Sequence, residues 1–471
     1  MADRFFVEII TSNQQRLIDL QKLDLDLFQP SVKTIKDKNE FSIEGLITLD
    51  DVKQLTESGY KVLVKKEAPK RSPAVDETSS FQNWKATAER SLRSTQAPVE
   101  EEEEEQEGMD TKKKSSSFML PFPGYLTTEG IEATLQYIST LYPDITELIP
   151  LPEKSHEGRT CRAIKIGKKN ATPKNGLLFL GGVHAREILN PDLLVKFSLA
   201  LCNAYVSKTG LSFGGKEYSA EQVKQIVDGL ETYIFPLVNP DGRTYVQSPN
   251  GDIWWRKNKN PNPGLPDRGV DLNRNYDFLW DSGIGTSTHA GAEIYKGKQP
   301  NSEPETRNVL HLINKYENIA CVADIHSYSQ LILYPWGDDE NQTEDPDMNF
   351  RNPGYDGDRG HPGDSNYREY IYAKDLTQHE DLGKEIRDAI SSLRNTAYTV
   401  QQSMGLYPTT GTCHDYVYSL RYNGVNRNIM GYTIETATKF QPSYEEATKV
   451  MAEVSTGLVE ACLTFARDME P

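Results

Sequence analysis

The residues of this chain that could do chemistry gather where apolar runs stop. Leu177-Leu178-Phe179-Leu180 leads into Gly181-Gly182-Val183-His184-Ala185-Arg186-Glu187. A histidine and a glutamate three residues apart at a strand end can turn an imidazole and a carboxylate onto one ion, and zinc accepts both ligand types. The same spacing also suits an ordinary polar turn. A second run ends in Val322-Ala323-Asp324-Ile325-His326-Ser327. Catalytic zinc takes three protein ligands and keeps a position open for water. His184, Glu187 and His326 would complete that count, although a lone strand-end histidine also serves as a hydrogen-bonded core residue. A third cluster, Gly269-Val270-Asp271-Leu272-Asn273-Arg274-Asn275, sets Asn273 beside Arg274, and Arg256 stands upstream in Trp254-Trp255-Arg256-Lys257. The planar fork of arginine receives a carboxylate bidentately. Surface ion pairing is the other common use of such a residue.

These clusters need a scaffold. Residues 4–10 (RFFVEII) read as a strand, 13–21 as a helix capped by Ser12 or Asn13, and 41–48 (FSIEGLIT) as an extended stretch. A short helix follows, capped by Thr48 and ended by Gly59, and YKVLVKK closes the unit as a strand. The pattern over residues 1–65 is a small α+β unit, with room for one more strand near 32–37. Residues 66–117 are rich in Ser, Glu, Lys and Pro and read as a charged, flexible linker, with a short helix over 80–93 as its one candidate element. From residue 118 the composition turns globular. An amphipathic helix capped by Thr127 or Thr128 precedes apolar strands that alternate with helices, the mark of an α/β domain over 118–471. Open α/β sheets place their sites at strand ends, where the polar clusters lie.

Composition narrows the partners. The 471 residues carry a formal charge of −17, which argues against nucleic acid or an anionic membrane as the main partner. Five cysteines are too few, and odd in number, for a disulfide scaffold. There is no apolar run long enough for a transmembrane helix and no secretory pattern at MADRFFVEII, so a cytoplasmic location is expected, or secretion if a leader is missing. The acidity is uneven: residues 338–381 hold 13 acidic and 4 basic residues. Because this segment follows the strand of His326, it is expected to rim the mouth of a site there. Its Asp, Asn and Gly residues also suit calcium, although no EF-hand spacing is present.

Taken together, GGVHAREILNPD, FPLVNPDGRTYV, WWRKN, GVDLNRNYD, EIYKG, SEPE, DIHSYSQLILYPWG and LYPTTGT resemble the zinc metallocarboxypeptidases of the pancreatic carboxypeptidase A/B type, in the family's order. The resemblance implies an α/β fold with a mixed central β-sheet flanked by helices, preceded by a small ferredoxin-like α+β domain. It implies one zinc held by His184, Glu187 and His326. Arg256 matches the group that stabilises the oxyanion. Asn273 and Arg274 match the binders of the substrate's terminal carboxylate, and Tyr407 matches the mobile tyrosine that caps the bound C-terminal residue. Arg186 and Tyr328 match peptide-subsite residues. Glu435, in Met430-Gly431-Tyr432-Thr433-Ile434-Glu435-Thr436, matches the general base, although the Leu-Arg that follows it in the family is Thr436-Ala437 here. Glu445 and Glu446 are rivals in a helical stretch. His414 falls at the pocket-floor position, which is apolar in A-type and acidic in B-type members.

The activity implied is removal of C-terminal residues from peptides or proteins. The alternatives are a catalytically inactive peptide-binding relative and a zinc amidase or deacylase acting on small N-acyl amino acids. Residues 1–65 resemble the family's prosegment, so the chain is expected to be a zymogen, activated by cleavage in the linker near Lys112–Lys114. Arg268 and Gly291 stand where secreted members carry a disulfide, and 338–381 stands as an insertion. Neither preferred substrate nor oligomeric state can be read from the sequence.

Overall fold

The computed structural model describes residues 3–21, 23–35, 40–71, 78–79, 81–86, 89, 124–169, 175–261, 269–405, 407–422, 424 and 427–467. The N-terminal unit runs β1 (Arg4–Thr11), α1 (Gln14–Gln21), β2 (Leu27–Ile35), β3 (Glu40–Thr48), α2 (Leu49–Glu57) and β4 (Lys61–Glu67). Its strands form an antiparallel sheet in the order β2-β3-β1-β4, the split βαβ arrangement of ferredoxin-like units. Thr48 caps α2 in a reciprocal box with Asp51, and Asn13 Oδ1 accepts from Arg16 N at 2.9 Å to start α1. The second strand, only suspected from sequence, is β2. Its pairing with β3 slips between Phe28 and Lys33, which breaks the alternation that would have marked it.

Period-2 alternation gives this sheet two separate duties. Val7, Ile9, Ile43 and Ile47 face α1 and α2, packing on Leu17, Leu20 and Leu55. Phe28 and Leu46 point the other way, into a cluster with Phe440 of the large domain, flanked by Trp254 and Tyr328. Burying a side chain the size of Phe28 contributes about 1.5–3 kcal/mol.

Most of the expected linker, including the Glu100–Glu105 run and Lys112–Lys114, lies outside the described residues. Of the helix expected over 80–93, residues 81–86 are helical. One face of this turn is anchored although Gln82, Asn83 and Ala86 stay exposed. Trp84 is fully buried, stacked on Phe81 and edge-on to Tyr137.

The large domain contains β5 (Thr146–Lys154), β6 (Thr160–Ile166), β7 (Asn175–Gly181), β8 (Leu230–Phe235), β9 (Ile319–Ser327), β10 (Leu331–Tyr334), β11 (Thr399–Gln402) and β12 (Met430–Thr436). They form one sheet in the order β11-β10-β12-β9-β7-β8-β6-β5. The central strands β12, β9, β7 and β8 run parallel. Antiparallel pairings flank them, so the sheet is mixed. Its helices include α3 (Thr128–Leu141), α4 (Leu189–Ser207), α5 (Ala220–Gly229), α6 (Pro304–Lys315), α7 (Ala373–Arg394), α8 (Cys413–Ser419) and α9 (Tyr444–Arg467), with a further short helix over Pro240–Gln247. Helices α3, α4, α5, α7 and α9 pack on one face with Leu177, Phe179, Cys321, Ala323, Ile325, Tyr432 and Ile434. Helices α6 and α8 pack on the other with Leu178, Leu180 and Val322. Alternation therefore turns Asp324 and His326 of β9, and Thr433 and Glu435 of β12, toward this second face.

Residues 338–372 form turns and a short strand pair between 341–342 and 369–370, and the remainder of the expected insertion is the start of α7. The five cysteines are free and buried. Among the described residues no helix is long and apolar enough to cross a membrane.

Candidate active site

His184 and Glu187 sit in the turn after β7, and His326 is the penultimate residue of β9. The turn depends on Gly182, whose φ is +64° and where a Cβ would lie 2.9 Å from both Leu237 and Pro191. The three side chains are buried and converge. His184 Nδ1 lies 2.8 Å from Glu187 Oε1, and His326 Nδ1 lies 3.1 Å from both His184 Nδ1 and Glu187 Oε2. The opposite ring nitrogens meet carboxylates: His184 Nε2 is 3.0 Å from Asp271 Oδ1, and His326 Nε2 is 2.9 Å from Asp324 Oδ2. Burial works to raise the Glu187 carboxyl, but His184 and His326 outweigh it and hold it well below the ordinary range. Two imidazole nitrogens and a carboxylate aimed at one buried point, each ring oriented by an outer carboxylate, fit a zinc ion.

Glu435 stands beside this trio because β12 pairs with β9 in a register that sets it opposite His326. It is 7% exposed, and its Oε2 has no hydrogen-bond partner. Burial pushes its carboxyl up to about 8. Arg256 donates through Nε and Nη2 to Asp271 Oδ2 at 3.2 and 2.9 Å. Asp271 therefore joins Arg256 to His184. Burial alone would raise its pKa, but Arg256 and His184 outweigh that and hold it far below the carboxylate range.

Asn273 and Arg274 lie in a short helical turn over Leu272–Arg274, started by Asp271 Oδ1 accepting from Asn273 N at 3.0 Å. Asn273 Oδ1 accepts from Cys413 N, and Arg274 donates to Gly285 O and Asn273 O. The Arg274 guanidinium also hydrogen-bonds Tyr407, whose buried hydroxyl is pushed up to about 12 by desolvation. His414 opens α8 and lines the same cavity, with Nδ1 3.0 Å from Thr433 Oγ1. Burial, with His326 and Arg274 nearby, lowers it to about 3, so it is neutral near pH 7. Thr409, Thr412, Thr433, Ser403 and Leu333 complete this end.

Arg186 and Tyr328 are occupied by the N-terminal unit. Arg186 Nη1 donates to both Asp26 oxygens at 2.9 and 2.8 Å and to Trp254 O at 3.3 Å, with its guanidinium over the Phe440 ring. Tyr328 donates to Glu44 Oε2 at 2.7 Å. Leu27 and Phe28 line the cavity alongside the catalytic candidates.

Nine of the eleven candidate residues line one cavity; His326 lies just behind it, in contact with His184 and Glu187, and Tyr328 packs on Phe440, which also lines it. Asp271, Asp324, Asp26 and Glu44 carried no assigned part in the sequence reading. Asp324 had a signal, since it lies two residues before His326 on the same strand face. The insertion expectation is corrected. None of residues 338–381 lines the cavity. Instead Phe350 and Ile371 pack with Trp336, and Asp338, Asp339 and Glu369 turn inward. The calcium expectation also finds no support: the possible metal clusters among the described residues are His184/Glu187/His326 and His156/Glu303/Glu305, and neither draws on the insertion. The insertion's carboxylates cap its own turns, as Asp339 does for Glu340 N and Gly360 N.

The zinc carboxypeptidase family profile matches residues 131–455. Carboxypeptidase A4 of Mus musculus is 27% identical over 305 residues, covering 64% of this chain and 61% of the relative. Metallocarboxypeptidase A of Arthroderma otae is 35% identical over 223 residues, covering 46% of this chain and 48% of the relative. The matches to these curated relatives thus span about half to three fifths of their length. The crystal structure of carboxypeptidase A from Helicoverpa armigera shares the fold, with a TM-score of 0.68 over 99% of this chain and 98% of that chain at 17% identity.

Proposed function

The chain belongs to the zinc carboxypeptidase family, and from that premise we propose that it hydrolyses the C-terminal peptide bond of peptides or proteins. The observation that carries this reading is the convergence, around one cavity, of the His184/Glu187/His326 trio, whose His184 and Glu187 line it, a carboxylate with an unpartnered oxygen at Glu435, and the Arg274–Tyr407 pair. When bound by the trio, zinc supplies Lewis-acid polarisation of a water and of the scissile carbonyl. Glu435 takes a proton from the attacking water and delivers it to the leaving amine. Arg256, oriented by Asp271, receives the developing oxyanion, a contribution worth about 3–4 kcal/mol per donor. Arg274 holds the free terminal carboxylate and Tyr407 closes over it, which limits the reaction to chain ends. Neutral His414 among threonines favours polar, aromatic or acidic terminal side chains over lysine and arginine.

The N-terminal unit is proposed as an inhibitory prosegment. Asp26 supplies a carboxylate to Arg186 and Phe28 fills the cavity mouth, both where an extended peptide would lie. The deciding experiment measures hydrolysis of one peptide with a free and with a blocked C-terminus, before and after limited proteolysis. Cleavage of the free form alone, rising after proteolysis, is expected. No hydrolysis of either form would favour an inactive binding relative, and preference for small N-acyl amino acids would favour an amidase.

A further inference from the structure

The second His/Glu cluster shares no residue with the catalytic cavity. His156 lies in the turn between β5 and β6, and Glu303 and Glu305 start α6. One ligand atom from each lies within 4.8 Å of the others. His156 Nε2 is 2.9 Å from Glu303 Oε2, a hydrogen-bond distance that brings the imidazole nitrogen and a carboxylate oxygen together. Asn258 Nδ2 bridges Glu303 Oε2 and Glu305 Oε2 at 2.8 and 3.0 Å. Glu303 is held further by Asn260 and Ser302. The other oxygen of Glu305, Oε1, has no hydrogen-bond partner although the side chain is fully buried. A buried, unsatisfied carboxylate oxygen is costly, and a cation relieves that cost. The histidine turn is preset by buried Asp241, which accepts from Ser155 Oγ, Glu157 N and Arg159 Nη1.

We propose that His156, Glu303 and Glu305 form a second divalent-cation site of the zinc class. One imidazole nitrogen and two carboxylate oxygens are a zinc-compatible set, and solvent at partly exposed His156 can complete the coordination. The ion ties the β5–β6 turn to α6. Through Asn258, and through Asn275 Oδ1, which accepts from Glu303 N at 3.1 Å, it braces the loops that carry Arg256 and Arg274.

The test is metal counting. The full chain is stripped with chelator, reloaded with zinc, freed of excess and analysed for bound ions. Two ions per chain are expected for the unmodified protein, one for His156→Ala, one for Glu305→Gln and one for Glu187→Gln. Cobalt in place of zinc should give a visible absorption in Glu187→Gln that disappears when His156→Ala is added. One ion in the unmodified protein overturns the site. So do two ions that persist in both His156→Ala and Glu305→Gln.

Discussion

His326 and Glu435 face each other across one rung of the parallel pairing between β9 and β12. A metal-ligand candidate and a proton-transfer candidate are thereby fixed at adjacent points of one rigid sheet, where neither depends on a loop for its position. Glu435→Gln keeps the shape and removes the base. Peptide hydrolysis should fall by about 10²–10⁴-fold, with zinc content unchanged. Full activity of the variant would rule out Glu435 as the base.

Asp271 touches both His184 and Arg256. Asp271→Asn should weaken zinc binding by about 10–100-fold, as loss of an outer carboxylate does. Arg256→Ala should instead lower kcat by about 10²–10³ and leave zinc affinity nearly intact. Metal titration alongside steady-state kinetics separates the two.

The clamp formed by Arg274 and Tyr407 predicts a change of selectivity rather than simple loss. Arg274→Ala should raise KM for a free C-terminus steeply. It should also narrow the difference between free and amidated peptides, measured as the ratio of their kcat/KM values.

The Asp26–Arg186 pair crosses the domain interface and is buried on both sides. Breaking such a pair by removing one partner costs about 3–5 kcal/mol. Asp26→Ala should therefore loosen the N-terminal unit and raise the activity of the uncleaved chain toward that of the proteolysed protein. Unchanged low activity, followed by normal activation on proteolysis, would place the inhibitory contact elsewhere.

Lys196 is buried in α4 and lowered to about 7 by desolvation, against an ordinary value of 10.5. A depressed folded-state value in a base means stability is fully present above pH 10.5 and is lost as pH falls to 7, where the unfolded chain binds a proton that the folded chain binds poorly. Asp192 keeps Arg243 as a partner at 2.7 Å if Lys196 is replaced. Lys196→Met should stabilise the protein at pH 7 by on the order of 2–4 kcal/mol. Urea melts at pH 7 and pH 9.5 should show that gain shrinking as pH rises.

Much of this was legible in the residues themselves. Thr48, Asn13 and Thr127 start helices through their own side chains, and capping is a local interaction. The apolar runs over 175–181, 319–327 and 430–436 became the central parallel strands because strands buried on both faces carry nearly continuous apolar sequence. The insertion was misread because net charge says nothing about direction. Asp338, Asp339 and Glu369 point inward, and no composition count distinguishes an inward carboxylate from an outward one. Trp84 was lost inside a polar segment because a single aromatic has no periodicity to announce its burial.

By itself the sequence determined the ligand-bearing motifs and the helix–strand alternation, since both depend on neighbours a few residues apart. Tertiary structure decided what meets across long separations. It set Glu435 opposite His326, Asp271 between His184 and Arg256, Asp26 on Arg186, and His156 beside Glu303 and Glu305. The first follows from strand register, the Asp26–Arg186 contact from domain docking, and the others from where the core packing sets loops and a helix start; none is fixed by a short stretch of chain.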